Sequence, residues 1–335
     1  MNEDTKHMTD ILVVGGAGYI GSHMTKHLQQ AGFGVVVLDD LSAGYRDAVR
    51  GAELVEGSIA DAALLADLFS KRRFAAVMHF ASFIQVGESV VEPGKYYANN
   101  LAATLTLLSA MHSAGITRFI FSSTAAVYGN PDYTPIDEQH AGRPINPYGR
   151  SKWMLEQILD DFDAAYGLKS VCLRYFNAAG ADPDGEIGEC HEPETHLIPL
   201  ILQAASGRRS AISVFGTDYD TPDGTCIRDY VHVSDLCSAH LLALQHLLDG
   251  GDSARFNLGS GTGFSVNEVI DTARRVTGCD IAVRYEDRRP GDPPRLVADA
   301  SQARQVLGWK PERGDLATII ADAWRWERRH PWFKH

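Results

Sequence analysis

The sequence has no uninterrupted apolar run approaching the ~20 residues that carry a helix across a bilayer, so no membrane span is expected. Cysteine is sparse: Cys172, Cys190, Cys226, Cys237 and Cys279 are odd in number, scattered, and never spaced C-x-x-C. That argues against a disulfide framework and against a zinc site. Thirteen histidines are present, but none falls in H-E-x-x-H or H-x-H, and no metal is expected. Positive charge is also short, with 31 Lys and Arg against 43 Asp and Glu, a net −12. Nucleic acid and anionic membrane surfaces are therefore disfavoured as partners. The opening "MNEDTKHMTD" lacks the apolar stretch of a signal peptide, so a cytoplasmic location is expected. Repeats and low-complexity segments are absent as well.

What is present is the composition of a soluble globular protein, 44% hydrophobic and 22% charged, in a chain long enough for two lobes. "DILVVGG", "GVVVLDD", "AELVEGS", "FAAVMHFA", "ITRFIFSS" and "KSVCLRYFN" read as strands. Between them, "IGSHMTKHLQQAG", "DAALLADLFSKRR" and "YYANNLAATLTLLSAMHSAG" have helical periodicity. This alternation predicts an α/β fold, a Rossmann-type doubly wound parallel sheet with helices on both faces. After about residue 180 the pattern shifts to Gly/Asp/Pro-rich loops and shorter helical patches. The expected division is a dinucleotide-binding domain over 9–180, which a segment around 228–240 re-enters, and a smaller mixed α/β substrate lobe over 181–330.

Gly15, Gly18 and Gly21 lie between the first strand and the first helix. In this setting the first permits a tight turn, the second lets the backbone approach a diphosphate, and the third lets helix and strand pack closely. Asp39 follows Gly21 by eighteen residues, at the end of the next strand. A carboxylate there binds a ribose 2′-hydroxyl and repels a 2′-phosphate, which favours NAD over NADP.

Tyr148 and Lys152 stand one turn apart where "NPYGRSKWMLEQILDDF" begins a helix. Alone, Y-x-x-x-K describes a buried tyrosine beside a lysine equally well. With the glycine spacing, "FSSTAAVYG" at 121–129 and "PYGRSK" at 147–152, the chain resembles the extended short-chain dehydrogenase/reductase family. "GSHM", "HFASFIQVGESV", "RYFNAAGADP", "FGTDYDTPDGTCIRDYVHV", "NLGSG" and "RRPGDPP" extend the resemblance over nearly the whole chain, toward that family's 4-epimerases of UDP-sugars.

The resemblance implies inversion at C4 of UDP-glucose and UDP-galactose through a 4-keto sugar, with NAD retained, and it assigns Thr124, Tyr148 and Lys152 to the chemistry. Activating a phenol of pKa near ~10 for neutral pH takes about 4 kcal/mol. One ammonium about 5–6 Å away supplies roughly 3 kcal/mol at an effective dielectric of ~20, so Lys152 is expected to be nearly sufficient. The resemblance further assigns Tyr19, Ile20, Asp39, Asp40, Leu41, Ser42, Ser58, Ile59, Phe80, Ala81, Asn99, Tyr175 and Phe176 to the cofactor. On the substrate side it implies that Arg228 and Arg289 hold the diphosphate, Phe215 flanks uracil and Asp292 takes ribose hydroxyls. Asn177, His196 and Leu197 would line the sugar path, and Leu296 would limit the sugar pocket.

The chain departs from the family pattern at several of these positions. Thr124 replaces a serine, Ser58 an aspartate at the adenine, Ile84 a lysine and His196 an asparagine. Leu296 stands where a bulky ring excludes N-acetylated sugars, so such sugars are expected to be tolerated. Competing readings are a UDP-pentose 4-epimerase, a 4,6-dehydratase and a non-catalytic NAD-binding interaction protein. Apolar residues on two faces of the helical stretches 95–114 and 148–166 predict a homodimer.

Overall fold

The first strand, β1 (Asp10–Val14), is apolar at consecutive positions, because both faces of the sheet it enters are covered. The computed structural model describes residues 10–289 and 292–329. The outer limits of the expected division, 9 and 330, and Pro290 and Gly291 of "RRPGDPP" lie outside the described residues.

With β2 (Gly34–Asp39), β3 (Glu53–Glu56), β4 (Phe74–His79), β5 (Arg118–Thr124) and β6 (Lys169–Tyr175), β1 forms a parallel sheet in the order 3-2-1-4-5-6. Its helices are α1 (Tyr19–Gln30), α2 (Ala62–Lys71), α3 (Val86–Val91), α4 (Pro93–Tyr96), α5 (Ala103–Ser113) and α6 (Pro147–Tyr166). One face buries Leu12, Val36, Leu65, Leu107, Phe121 and Leu155; the other buries Val13, Met24, Leu28, Val37, Ile120 and Leu173. Each such side chain contributes about 1.5–3 kcal/mol on leaving water. The doubly wound sheet expected from the strand-helix alternation is therefore observed.

The seventh strand comes from further along the chain. After β7 (Asn177–Ala179), β8 (Ile212–Phe215), β9 (Ile227–Arg228) and β10 (Tyr230–His232), strand β11 (Ala254–Leu258) pairs in parallel with β6 at the sheet edge. Helix α8 (Val233–Leu248), entered from β10, buries Leu236, Ala243 and Leu247 against Met24 and Leu28 of α1. Ala303, on α10 (Ser301–Val306), and Trp309 join the same cluster. The expected division gave β11, α10 and much of α8 to the second lobe. Their apolar faces instead complete the first.

A separate core gathers α7 (Leu197–Ala205), α9 (Val266–Thr277) and α11 (Leu316–Arg329) around Ile198, Ile201, Val269, Ile270, Ile319 and Ile320. β8 pairs with β13 (Val283–Glu286), and β12 (Phe264–Ser265) and β14 (Arg295–Leu296) flank β9. α9 is bounded by local chemistry: Ser265 and Glu268 form a capping box, and Gly278 ends the helix in the left-handed conformation. No described helix is long and apolar enough to cross a membrane.

Candidate active site

One cleft of about 1300 Å³ runs along the ends of β1, β4 and β5, where the strand order reverses. Gly15 turns the chain at φ 78°, and a Cβ there would lie 2.4 Å from the Ala81 nitrogen. A Cβ at Gly21 would lie 2.1 Å from the Gly15 oxygen, so α1 packs on the turn only with glycine at this position. Gly18 is different. Its Cβ would come no nearer than 3.4 Å to any neighbour, an ordinary contact.

Protein packing therefore leaves the glycine at 18 unexplained, and an approach to its backbone from the cleft explains it. Gly18 caps α1 without a side-chain hydrogen bond, and the first turn holds no acidic residue. The positive helix end is thus open to an anion, and the turn fits a dinucleotide diphosphate. At the end of β2, the Asp39 carboxylate accepts N–H bonds from Ala17 (2.9 Å) and Leu41 (2.8 Å). Burial pushes its carboxyl up, and those two donors oppose the shift.

The reacting group is assembled by two elements meeting end to end. Asn146 caps α6 by accepting from the Gly149 N–H at 2.8 Å, and Pro147 occupies the first turn. A Cβ at Gly149 would lie 2.5 Å from the Ala126 oxygen, so glycine lets α6 press against the turn leaving β5. This brings Tyr148 beside the Thr124 hydroxyl, which favours the ionised phenol. Thr124 Oγ1 also accepts the Ala126 N–H at 3.1 Å, which leaves its proton for Tyr148. Lys152 Nζ donates to Ser82 Oγ at 2.7 Å and to the Ser122 carbonyl at 2.8 Å.

The charge states differ from the expectation. Burial pushes the Tyr148 phenol up, and the Thr124 hydrogen bond opposes it. Burial also pushes Lys152 down to about 7, with Glu156 opposing. Burial thus weakens the charge that was expected to activate the phenol. The low-dielectric setting that strengthens its attraction also disfavours its own charge.

Of the residues expected around the ligands, Tyr19, Ile20, Asp40, Ser42, Ser58, Ile59, Phe80, Ala81, Asn99, Tyr175, Phe176, Asn177, His196, Arg228, Arg289, Asp292 and Leu296 line the cleft, as does Ile84. Leu41, Leu197 and Phe215 do not. Leu41 donates its N–H to Asp39, Leu197 packs on the second core, and Phe215 carries the Arg289 guanidinium 3.9 Å from its ring centroid. Arg228 and Asp292, expected to bind phosphate and ribose separately, form an ion pair with each other.

A model of the NAD dependent epimerase/dehydratase family matches residues 11–259. The chain belongs to that family. It is 53% identical over 320 residues to the UDP-glucose 4-epimerase of Rhizobium meliloti (strain 1021), covering 96% of this chain and 97% of the relative. The crystal structure of UDP-glucose 4-epimerase from Brucella ovis in complex with NAD is 50% identical, with TM-score 0.93, covering 94% of this chain and 97% of that one. The Stenotrophomonas maltophila UDP-glucose-4-epimerase structure, with bound NAD and formylated UDP-arabinopyranose, is 43% identical at TM-score 0.92, covering 96% and 98%.

Within this epimerase/dehydratase frame, several residues escaped the sequence reading. Asn100, in a π-helical turn at Tyr97–Ala102, accepts from the Phe83 N–H (2.9 Å), donates to the Phe83 carbonyl (3.0 Å) and reaches Ser151 Oγ (3.3 Å). It pins the cleft wall to α6. Glu156, fully buried, holds Ser123, Arg174 and Arg255. Only its place on the same face as Lys152, one turn on, could have signalled it.

Glu189, His191, Glu194 and His196 also meet at the cleft wall. Burial works against their imidazoliums, but Glu189 and Glu194 outweigh it and push His191 up to about 9 and His196 up to about 10.

Proposed function

We propose that the protein inverts C4 of UDP-hexoses, interconverting UDP-glucose and UDP-galactose through a transient 4-keto sugar. The observation that carries this reading is that Thr124, Tyr148 and Lys152 line the same cleft that begins at the glycine turn. NAD supplies a reversible hydride acceptor for C4. Tyr148 takes the proton of the 4-hydroxyl and gives it back to O4 once the turned keto sugar is reduced from its other face, Thr124 stands beside the phenol to orient it, and Lys152 adds positive charge behind it.

Arg228 and Arg289 anchor the diphosphate end, so the sugar end remains able to turn. Engaging the anion requires Arg228 to exchange its Asp292 contact, which frees that carboxylate for ribose hydroxyls. Ala125 and Ala126 follow Thr124 in the cleft and offer no group to expel water, which disfavours a 4,6-dehydratase. The test is turnover of UDP-galactose with no added NAD consumed. Tyr148→Phe should lower it by about 10²–10⁴-fold while NAD binding persists. Net NADH production, or unimpaired turnover in that variant, would refute the reading.

Leu296, half-buried at the cleft, has no ring to close the sugar pocket, so UDP-N-acetylhexosamines are also accepted. The bound pentose nucleotide of the Stenotrophomonas relative makes UDP-pentoses a second substrate class worth assay. The working division is a cofactor lobe, completed by α8, β11 and α10, and a substrate lobe around α7, α9 and α11. A homodimer through α6, α5 and the π-helical turn before it uses the half-exposed Tyr97, Leu101, Leu105, Ile158 and Phe162. Light scattering at monomer mass would refute it. The unpaired cysteines fit a reducing cytoplasm.

A further inference from the structure

We propose that Glu189, His191, Glu194 and His196 form a binding site for one divalent transition-metal ion of the zinc class. Their four donor atoms all lie within 4.8 Å of one another. His196 Nδ1 is 2.8 Å from Glu189 Oε1 and 2.9 Å from Glu194 Oε1; His191 Nδ1 is 3.2 Å from Glu189 Oε1 and 3.7 Å from Glu194 Oε2. Tetrahedral bonds of about 2.0–2.1 Å place ligand atoms roughly 3.3 Å apart, so these separations bracket the required edge. The donor atoms are close enough to converge on one ion with side-chain rotation alone.

Two further features point to a cation. The carboxylates are buried side by side, with Glu189 and Glu194 side chains 6% and 5% exposed. His191 Nδ1 is sealed from solvent and makes no aligned hydrogen bond. A divalent ion would displace the two imidazolium protons that otherwise balance these carboxylates, keep the charge balanced with two neutral imidazoles, and engage that nitrogen. The donor set of two nitrogens and two oxygens selects the zinc class over Mg²⁺ or Ca²⁺, which take oxygen shells.

The expectation of no metal rested on H-E-x-x-H and H-x-H spacings. Here the pattern is E-x-H-x₂-E-x-H on a loop, and only the fold closes it. Thr195 and His196 N–H groups donate to Glu194 Oε1 at 2.7 and 2.8 Å, and Trp326 Nε1 donates to the Glu189 carbonyl at 2.9 Å. The ion would thus brace the cleft wall where it enters α7.

The proposal does not depend on the sugar chemistry, and its test needs no turnover. Full-length protein, stripped with EDTA, is titrated with Co²⁺ and followed by its visible d–d absorption, then challenged with Zn²⁺. The expected result is one Co²⁺ per chain in a tetrahedral-type spectrum, displaced by Zn²⁺. His191→Gln and Glu194→Gln, each checked for an unchanged circular dichroism spectrum, should bind about 100-fold more weakly or worse. Absence of the d–d bands in the wild type would overturn the proposal even if a variant failed to fold. Equal Co²⁺ affinity in wild type and folded variants would overturn it too, since the ion would then sit elsewhere.

Discussion

Replacing Lys152 by methionine should stabilise the cofactor-free protein at pH 6 while abolishing turnover. The side chain is 1% exposed, and burial lowers its pKa from 10.5 to about 7. The unfolded lysine keeps its proton to pH 10.5 and the folded one loses it near 7. Between those values the unfolded state binds more protons, so stability rises with pH. The lysine therefore costs about 5 kcal/mol at acid pH, roughly 4 at pH 7 and about 2 at pH 9.

Methionine removes that cost but forfeits the bonds of the neutral amine to Ser82 and the Ser122 carbonyl, worth about 0.5–1.5 kcal/mol each. With each bond near the middle of that range, the variant gains about 3 kcal/mol at pH 6 and nothing at pH 9. The assay is thermal unfolding of NAD-free wild type and variant from pH 6 to 9. Other titrating groups cancel in the difference, which should change by about 3 kcal/mol over this range. A difference flat with pH, or a variant far less stable at pH 6, would refute the argument that burial discharges this lysine.

Gly18→Ala should leave the unfolding of NAD-free protein unchanged and weaken NAD binding, measured by calorimetry. Gly21→Ala, whose Cβ would meet the Gly15 oxygen at 2.1 Å, should lower stability as well. Glu156→Gln leaves the buried Arg174 without its carboxylate and Arg255 with only the exposed Asp160, and should cost about 3–5 kcal/mol in denaturant unfolding. Leu296→Tyr should reduce turnover of UDP-GalNAc far more than that of UDP-galactose, and equal losses in product assays would contradict the gate.

The legible parts of the sequence were those with local causes. β1 and its glycine turn announce themselves by an apolar run followed by Gly15, Gly18 and Gly21, and α6 by Asn146, Pro147 and the Tyr148–Lys152 spacing. β11 was not legible, because "ARFNL" is short and half polar and becomes a strand only by covering the edge of β6. Glu156 reads as surface acid on an amphipathic helix, since its partners Ser123, Arg174 and Arg255 lie on three strands distant in sequence. The lysine's lowered charge was missed for the same reason: spacing gives proximity, whereas desolvation depends on what the rest of the chain places around it. The Arg228–Asp292 pair shows that two residues correctly placed in one cleft can still be misread when considered one at a time.

The late arrival of β11 bears on how the chain is made. Until residues 254–258 emerge from the ribosome, β6 presents an unpaired row of amides and carbonyls, and Glu156 lacks Arg255. A nascent or prematurely stopped chain is thus a sticky half-sheet, open to strand exchange with its neighbours. Nonsense products ending before position 254 should accumulate in inclusion bodies, whatever the integrity of their glycine turn.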